Sequence, residues 1–413
     1  MFSFFKKDKV IIRHRKDHNV SRKLISREAL RVLYKLSNSG YKAYLVGGGV
    51  RDILLGRQPK DFDVGTNAQP REIKRLFPRC FLVGKRFRLA HVVFGRTVIE
   101  TSTFRKQPPH EPVDGEDGLY QSDDNTFGTP EEDALRRDFT VNGLFYDIKT
   151  FDVIDYVGGL KDLDRRILRS IGDPNLRFCE DPVRMMRAVR LSCKLGLTIE
   201  RGTLKAITKH CQEIEKASVP RVLEEIFRMF SFSATESSFR LMWETGLLGA
   251  LMPHLSRFID THGKSKCKVW ECLAEFDRLT EGRGEEVSNG LRVAAVYMAM
   301  YHEKLANSIN ISGREARLAL AEEVISVIGN KYKLPRAAHF HAIHLLEELS
   351  CFEKLPAHNR TIRASRKDQF DDAVLLARIA SKVYGEIPEK NINVWSNLRV
   401  IPNRCNNESE DDA

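Results

Sequence analysis

The sequence lacks the cysteine arrangements that mark zinc fingers and dithiol redox sites. Its eight cysteines are scattered over 413 residues, and none forms a CxxC pair or a Cys/His cluster with zinc-ligand spacing. Free, mostly buried thiols in a reducing compartment are the simplest interpretation. We therefore expect a cytoplasmic protein whose cysteines are structural.

Long hydrophobic runs are also missing. No stretch of about 18 apolar residues could form a transmembrane helix, so we expect no membrane partner. The N-terminal sequence MFSFFKKDKVIIRHRKDH alternates short apolar and basic pieces, without an apolar core or a small-residue cleavage site. It does not predict a signal peptide.

Acidic residues are in deficit. The chain has 67 Lys and Arg against 56 Asp and Glu, which gives a formal net charge of +11. Such an excess favours a polyanionic partner such as RNA, DNA or a membrane surface, although a basic chain can also simply be more soluble. With 42% hydrophobic and 30% charged residues, the composition is that of a soluble globular protein, and 413 residues are enough for two or three domains.

The pattern along the chain predicts an α+β protein: a small mixed-sheet head followed by an all-α neck and body. SREALRVLYKLS has helical spacing, KAYLVGG and FDV read as strands, and the chain after about residue 175 is almost entirely helical. The predicted divisions are a basic flexible arm (1–20), the head (21–175), the neck (176–260), the C-terminal body (261–400) and an acidic tail (401–413).

Two segments within the head differ from the strand pattern. Residues 105–128 are rich in Pro, Gly and Asp, which predicts a mobile loop. TPEEDALRRDFTVNGLFYD then opens a helix, with Thr129 as the cap, Pro130 at the first helical position and Glu132 completing a capping box.

The glycine-rich signatures GxGxxG and GxxxxGK[ST] are absent, but LVGGGVRD places three glycines between a strand and a helix. Backbone N–H groups at such a turn can approach a phosphate closely. In PKDFDVGT, Asp61 and Asp63 would share one strand face, where the pair suits a divalent metal such as Mg²⁺. Alone, a DxD strand can equally be a solvated edge.

Together these segments resemble the nucleotidyltransferases related to DNA polymerase beta, and within them the class II group of bacterial poly(A) polymerases and CCA-adding tRNA nucleotidyltransferases. The resemblance rests on LVGGGVRDILLG…KDFDVGT, on EEDALRRDFTVNGLFYD, on the block through EDPVRMMRAVR, and on VPRVLEEIF. LVGKRFRLAHVVFG, residues 82–95, is similar to the sequence that sets the poly(A) polymerases apart from the CCA-adding enzymes. The resemblance as a whole covers residues 22 to about 255.

The resemblance implies roles for residues in the head. Asp61 and Asp63 would be catalytic and hold two Mg²⁺ ions. The implied nucleotide-binding residues are Gly48, Arg51 and Arg137, with Asp138 as a third active-site carboxylate. Glu100, on a strand expected next to DFDV, is a rival for that third role.

A second implied group begins the neck helix, where Asp181 would be the cap and Pro182 the first helical residue. The resemblance makes Asp181 and Arg184 a protein substitute for a base-pairing strand. An acceptor-only Asp beside a donor-only Arg suits adenine or cytosine and rejects guanine and uracil. Arg187 and Arg190, further along the helix, would serve the triphosphate.

The implied function is template-independent addition of AMP from ATP to RNA 3′ ends. The alternatives are a CCA-adding enzyme with the same site and a catalytically idle RNA-binding protein on this fold. The neck and body would bind RNA, whereas partners of the RNA-decay or RNA-chaperone kind are not readable from the sequence. The acidic ending ESEDDA departs from the basic tail of many members of the family, and a less basic surface there would weaken salt-dependent RNA binding.

Overall fold

The computed structural model describes residues 10–84, 89–106, 127–308, 313–355 and 367–397. The start of the expected arm, most of the expected loop at 105–128, the KRFR centre of the 82–95 sequence and the acidic tail lie outside these residues. The described chain divides into two compact units. One runs up to Arg184 and includes Leu195–His210; the other contains Met185–Lys194 and continues from Cys211.

The first unit is built on an eight-stranded sheet with the order β1-β8-β7-β2-β3-β6-β5-β4. Only the β3–β6 pair is parallel among these neighbours. The strands are β1 (Ile11–Arg13), β2 (Ala43–Val46), β3 (Asp63–Thr66), β4 (Cys80–Val83), β5 (Leu89–Phe94), β6 (Thr97–Thr103), β7 (Leu144–Asp147) and β8 (Val153–Asp155).

Short helices accompany this sheet, and each begins where the sequence supplies a cap or a turn. They are α1 (Arg27–Asn38), α2 (Gly48–Leu54), α3 (Pro70–Leu76), α4 (Pro130–Leu135), α5 (Gly159–Asp164) and α6 (Pro174–Glu180). Ser26 caps α1 by accepting from the Ala29 N–H, and α1 buries Val32 and Leu33 at 0% exposure. The unit is completed by two short parallel strands and one helix: β9 (Ile167–Leu168), β10 (Thr198–Ile199) and α8 (Arg201–His210). The long helix α7 (Val183–Leu195) precedes β10 in the chain, and most of it belongs to the other unit.

The expectation of a flexible arm over residues 1–20 is wrong for its second half. Residues Ile11–Arg13 form the edge strand β1, paired with β8. Arg13 lies 2.6 Å from Asp164, and the side chain of Asn19 donates to the Ile53 carbonyl. The isoleucines of this strand remain exposed, so the strand is held in the sheet by backbone hydrogen bonds rather than by a buried apolar face. For that reason the sequence pattern did not predict it.

The predicted helix after residue 129 is shorter than the sequence pattern suggests. Its capping box is present: the Thr129 hydroxyl accepts from the Glu132 N–H, and the Glu132 carboxylate accepts from the Thr129 N–H. However, α4 ends at Leu135, and a 3₁₀ turn at Thr140–Asn142 leads into β7. The segment RRDFTVN is therefore a connection, which lets its polar side chains point in several directions.

The second unit is entirely helical among its described residues, as expected. After the part of α7 from Met185, its helices are α9 (Val219–Met229), α10 (Thr235–Glu244), α11 (Leu247–Leu251), α12 (Pro253–Thr261), α13 (Lys268–Leu279), α14 (Asn289–Ala306), α15 (Arg314–Tyr332), α16 (Arg336–Phe352), α17 (Lys367–Tyr384) and α18 (Glu389–Ser396). No helix in the described part of the chain is long and apolar enough to cross a membrane.

Candidate active site

The two aspartates of PKDFDVGT flank the start of a central strand. Both aspartates were expected in one strand. β3 begins at Asp63, however, so Asp63 is in the strand and Asp61 lies just before it. Phe62 and Val64 are buried at 9% and 0% exposure, while Asp61 is exposed and Asp63 is half-buried. Burial of the apolar neighbours fixes the register and leaves the carboxylates on the accessible side.

Asp63 lies in an electrostatically costly position. Burial, together with the negative charges of Glu100 and Asp61, raises the pKa of Asp63 to about 6, while the positive charge of Arg137 opposes this rise. Glu100 is on β6, the parallel neighbour of β3, as the sequence predicted. Carboxylates gathered in this way favour a bound cation, because a cation removes the repulsion.

The glycine turn follows β2 and leads directly into α2, as predicted. Gly47 adopts a φ of +67°, which disfavours any residue with a side chain, and its N–H donates to the Leu144 carbonyl. A Cβ on Gly47 would lie 2.8 Å from a guanidinium nitrogen of Arg137. A Cβ on Gly48 would lie 3.4 Å from a guanidinium nitrogen of Arg51. Two arginines therefore line the turn.

Arg51 is held by a polar network rather than projecting freely. It is 5% exposed and pairs with Asp52 at 2.6 Å. Its other nitrogen donates to the side chain of Asn142, whose amide donates to Asp138 at 2.9 Å. Asn142 thus joins Arg51 to Asp138, and sequence reasoning missed it although it ends the RRDFTVN motif.

This network bears on the third carboxylate. The Asp138 carboxylate accepts from the Phe139 N–H and from Asn142. Among the neighbouring charges, that of Glu100 has the largest effect on the pKa of Asp63. The parallel pairing of β3 with β6 thus brings Glu100 beside Asp63. Asp138 instead supports the residues that position Arg51.

Arg137 is fixed by a buried acid that the sequence did not single out. Asp133, 1% exposed, accepts from Arg137 at 3.0 Å and from Arg136 at 2.9 Å. Burial alone would raise the pKa of Asp133, but the two guanidiniums outweigh burial and lower it. Arg137 also donates to the Asn142 carbonyl and lies over the Phe145 ring. These contacts keep one Arg137 nitrogen beside the glycine turn.

Of the two residues implied in base recognition, Asp181 lies between two helices and Arg184 lies in the first turn of the second helix. α6 ends at Glu180 and α7 begins at Val183, so the helix starts one residue later than predicted from Pro182. Arg184 approaches Glu180 at 3.6 Å and Asp181 at 3.9 Å. The acceptor and donor of the predicted pair are therefore neighbours within one unit.

Arg177 links this segment to the connection that contains Arg137. It is 6% exposed, and one of its nitrogens donates to the carbonyls of Arg136 and Arg137 at 2.7 and 2.9 Å. Burial lowers the pKa of Arg177, and the Glu180 carboxylate, 3.0 Å away, opposes that effect. Arg177 was not predicted, because its role depends on contacts between residues about 40 positions apart.

Arg187 and Arg190, further along α7, are engaged in the second unit. Arg190 is 8% exposed and lies 2.7 Å from the buried Glu225 of α9, while Arg187 is 3.8 Å from the same carboxylate. Burial lowers the pKa of Arg190. Arg190 is thus occupied by an internal ion pair rather than being available to a phosphate.

The carboxylates of the site can supply some, but not all, of the ligands of a magnesium ion. No group of three or more His, Cys, Asp or Glu side chains is arranged to hold a metal ion in the described ranges. Mg²⁺ usually takes one or two protein carboxylates, with water and substrate phosphates as its other ligands. Asp61 and Asp63 match that pattern, and the raised pKa of Asp63 is the sign of a site that gains from a cation.

Comparisons with known proteins show what the whole chain is similar to. The family model described as "Poly A polymerase head domain" matches residues 43–169, and the one described as "Probable RNA and SrmB-binding site of polymerase A" matches residues 196–259. The chain is 40% identical to poly(A) polymerase I of Escherichia coli over 74% of this chain and 66% of that protein. It is 37% identical to poly(A) polymerase I of Haemophilus influenzae over 77% of this chain and 72% of that protein.

CCA-adding enzymes are relatives as well. A CC-adding tRNA nucleotidyltransferase of Halalkalibacterium halodurans is 35% identical over 54% of this chain and 53% of that protein. The crystal structure of the Bacillus stearothermophilus CCA-adding enzyme with CTP matches at a TM-score of 0.53 and 26% identity, covering 89% of this chain and 96% of that one. The α+β nucleotidyltransferase fold is therefore confirmed, and the chain belongs to the family of bacterial poly(A) polymerases and CCA-adding enzymes.

Proposed function

We propose that this chain adds AMP from ATP to RNA 3′ ends without a template. The observation that carries the proposal is the site in the first unit, where Asp63 and Glu100 lie beside a glycine turn lined by Arg51 and Arg137. The identity to the poly(A) polymerases extends over about three quarters of the chain, further than the identity to the CC-adding relative.

The chemistry assigned to the head follows from charge. The triphosphate of ATP would lie against the N–H groups of the glycine turn, with Arg137 beside it and Arg51 supporting the turn. Magnesium, bound by Asp61 and Asp63, would lower the pKa of the RNA 3′-hydroxyl and offset the charge of the leaving pyrophosphate. We assign the third carboxylate to Glu100 rather than Asp138, because Glu100 acts directly on Asp63.

Base selection would come from Asp181 and Arg184. The Asp181 carboxylate would accept from the adenine amino group, and the Arg184 guanidinium would donate to the adjacent ring nitrogen. Guanine and uracil present the reverse pattern, and each polar group left unpaired would cost about 1–3 kcal/mol. Arg177 would position this pair, since it ties α6 to the backbone of Arg137.

CCA addition to tRNA is the second candidate, because the Asp181–Arg184 pattern accepts cytosine as well as adenine. The CC-adding relative and the similarity to a structure with CTP favour it. The two candidates differ in one property: a poly(A) polymerase extends with ATP alone, whereas a CCA-adding enzyme needs CTP and stops after three additions.

The test is incorporation on two substrates. The purified chain is incubated with a generic RNA and with a tRNA lacking its CCA end, with ATP or CTP supplied separately. A long ladder from ATP alone on generic RNA is expected. Growth by no more than three nucleotides that requires CTP would overturn the proposal in favour of CCA addition. Asp63→Asn should abolish incorporation, while Asp164→Asn, an exposed carboxylate paired with Arg13, serves as the matched control.

A further inference from the structure

One side of the sheet is covered only in part by the residues that the structure describes. In β4, β5 and β6, alternate residues such as Cys80, Val92 and Ile99 are buried at 5%, 1% and 2% exposure. Their neighbours on the opposite side, Phe81 and Val98, remain 62% and 46% exposed. We call this second side the open face; it comprises Phe81, Val83, His91, Val98 and Glu100.

The open face is continuous with the candidate active site. Val64 pairs with Thr101, which places Asp63 opposite Glu100 on the side away from the buried Val64. Glu100 pairs with His91, and His91 pairs with Phe81. Paired residues on adjacent strands project to the same side of a sheet. Asp63, Glu100, His91 and Phe81 therefore form one row across four strands.

The length of this row matches a few nucleotides. Adjacent strands are about 4.8 Å apart, so Phe81 lies about 14 Å from Asp63 across three strand spacings. Stacked bases repeat every ~3.4 Å along one strand, so the row spans up to about four nucleotides. His91 lies between, with its Nε2 3.8 Å from a Glu100 carboxylate oxygen.

We propose that the open face binds the 3′-terminal segment of the RNA substrate, with a base a few nucleotides before the 3′ end stacked on the Phe81 ring. The proposal rests on the proposed function, since it takes Asp63 as the point where the RNA 3′-hydroxyl lies. Phe81 is then a substrate-binding residue that neither the nucleotide site nor the metal site includes.

The chemistry of the row selects bases over phosphates. The carboxylates of Asp63 and Glu100 repel an RNA backbone that approaches the sheet, so the phosphates would face solvent. Phe81 and Val83, 62% and 44% exposed, offer apolar area at the end of the row. Aromatic rings stack on any base, and such contacts tolerate every sequence, as extension of generic RNA requires.

The binding test uses the full chain and a fluorescent ten-nucleotide RNA, followed by anisotropy without ATP. Phe81→Ala should weaken RNA binding about tenfold, in the range found for the loss of one stacked base. Phe81→Trp should bind as the unchanged protein does, and Phe81→Leu should bind as weakly as the alanine variant. Ile12→Ala is the matched control, because Ile12 is an apolar residue 49% exposed on β1, the opposite edge strand of the same sheet.

Primer length supplies the second readout. A dinucleotide primer is too short to reach from Asp63 to Phe81. Phe81→Ala should therefore raise the KM for a ten-nucleotide primer by a factor at least about five times larger than the factor for a dinucleotide. A single stacked base contributes about that much to affinity. Equal RNA binding by all Phe81 variants, or equal rises in KM for both primers, would overturn the proposal. A leucine variant that binds like the unchanged protein would show apolar contact without stacking and would overturn it as well. If the unchanged protein incorporates no AMP, the proposed function fails, and anisotropy still decides the role of Phe81.

Discussion

Replacing Asp63 with asparagine should stabilise the metal-free protein at neutral pH. The pKa of Asp63 is raised from 3.8 to about 6 by burial and by the charges of Glu100 and Asp61. One pKa unit corresponds to ~1.36 kcal/mol, so the ionised side chain costs about 3 kcal/mol of folding free energy above pH 6. Asparagine has nearly the same shape and carries no charge, so Asp63→Asn removes this cost.

The sign of the pH dependence follows from the direction of the shift. Because the pKa in the folded state is raised, the favourable contribution of the neutral carboxyl is fully present below about pH 4 and is lost as the pH rises through about 6. The difference between the variant and the unchanged protein should therefore be about 3 kcal/mol at pH 7.5 and below about 1 kcal/mol at pH 4.

Pulsed hydrogen exchange during urea unfolding can measure this in the first unit alone. Peptides from β2, β3 and β6 report on the unit that contains Asp63, and peptides from α14 and α16 in the second unit provide an internal control. Saturating Mg²⁺ should stabilise the unchanged protein at pH 7.5 and leave Asp63→Asn nearly unaffected. Equal stability of the two proteins at pH 7.5 without divalent ions would refute the assignment of Asp63 as a strained carboxylate.

Three further substitutions test other parts of the structure. Gly47→Ala should lower the stability more, and raise the KM for ATP more, than Gly40→Ala. Both glycines have a positive φ, but only at Gly47 would the Cβ meet a neighbouring side chain. Thermal unfolding and steady-state kinetics with ATP measure the two effects. Arg190→Met should destabilise the second unit by about 3–5 kcal/mol, and adding Glu225→Leu should recover most of that loss, as urea unfolding by tryptophan fluorescence would show. Arg184→Ala should lower kcat/KM for ATP about 5- to 150-fold, from the loss of about 1–3 kcal/mol, and should narrow the preference for ATP over GTP.

Local signals in the sequence predicted the local structure well. The glycine turn between β2 and α2 and the capping box at Thr129 were both expected, because each depends on residues a few positions apart. The approach of Glu100 to Asp63 was inferred only as a rival assignment. It depends on the parallel pairing of β3 with β6, which is set by tertiary structure rather than by either strand alone.

Other features gave no usable signal. α14 has buried residues all around its circumference, so its sequence shows no apolar stripe, and its bounds were not predicted although a helical body was expected there. Asp133 reads as one more acid in the first turn of α4, but it is 1% exposed and bonded to two arginines. The resemblance implied that Arg190 serves the triphosphate, and only the position of Glu225 on another helix shows its internal ion pair.

The most direct test of the central claim is a crystal structure of the chain with Mg²⁺ and a non-hydrolysable ATP analogue. The account predicts a metal ion about 2.0–2.1 Å from oxygens of Asp61 and Asp63, in contact with the triphosphate. The adenine amino group should face Asp181, and the adjacent ring nitrogen should face Arg184. A triphosphate bound away from the glycine turn, or a metal ion that contacts neither aspartate, would contradict it.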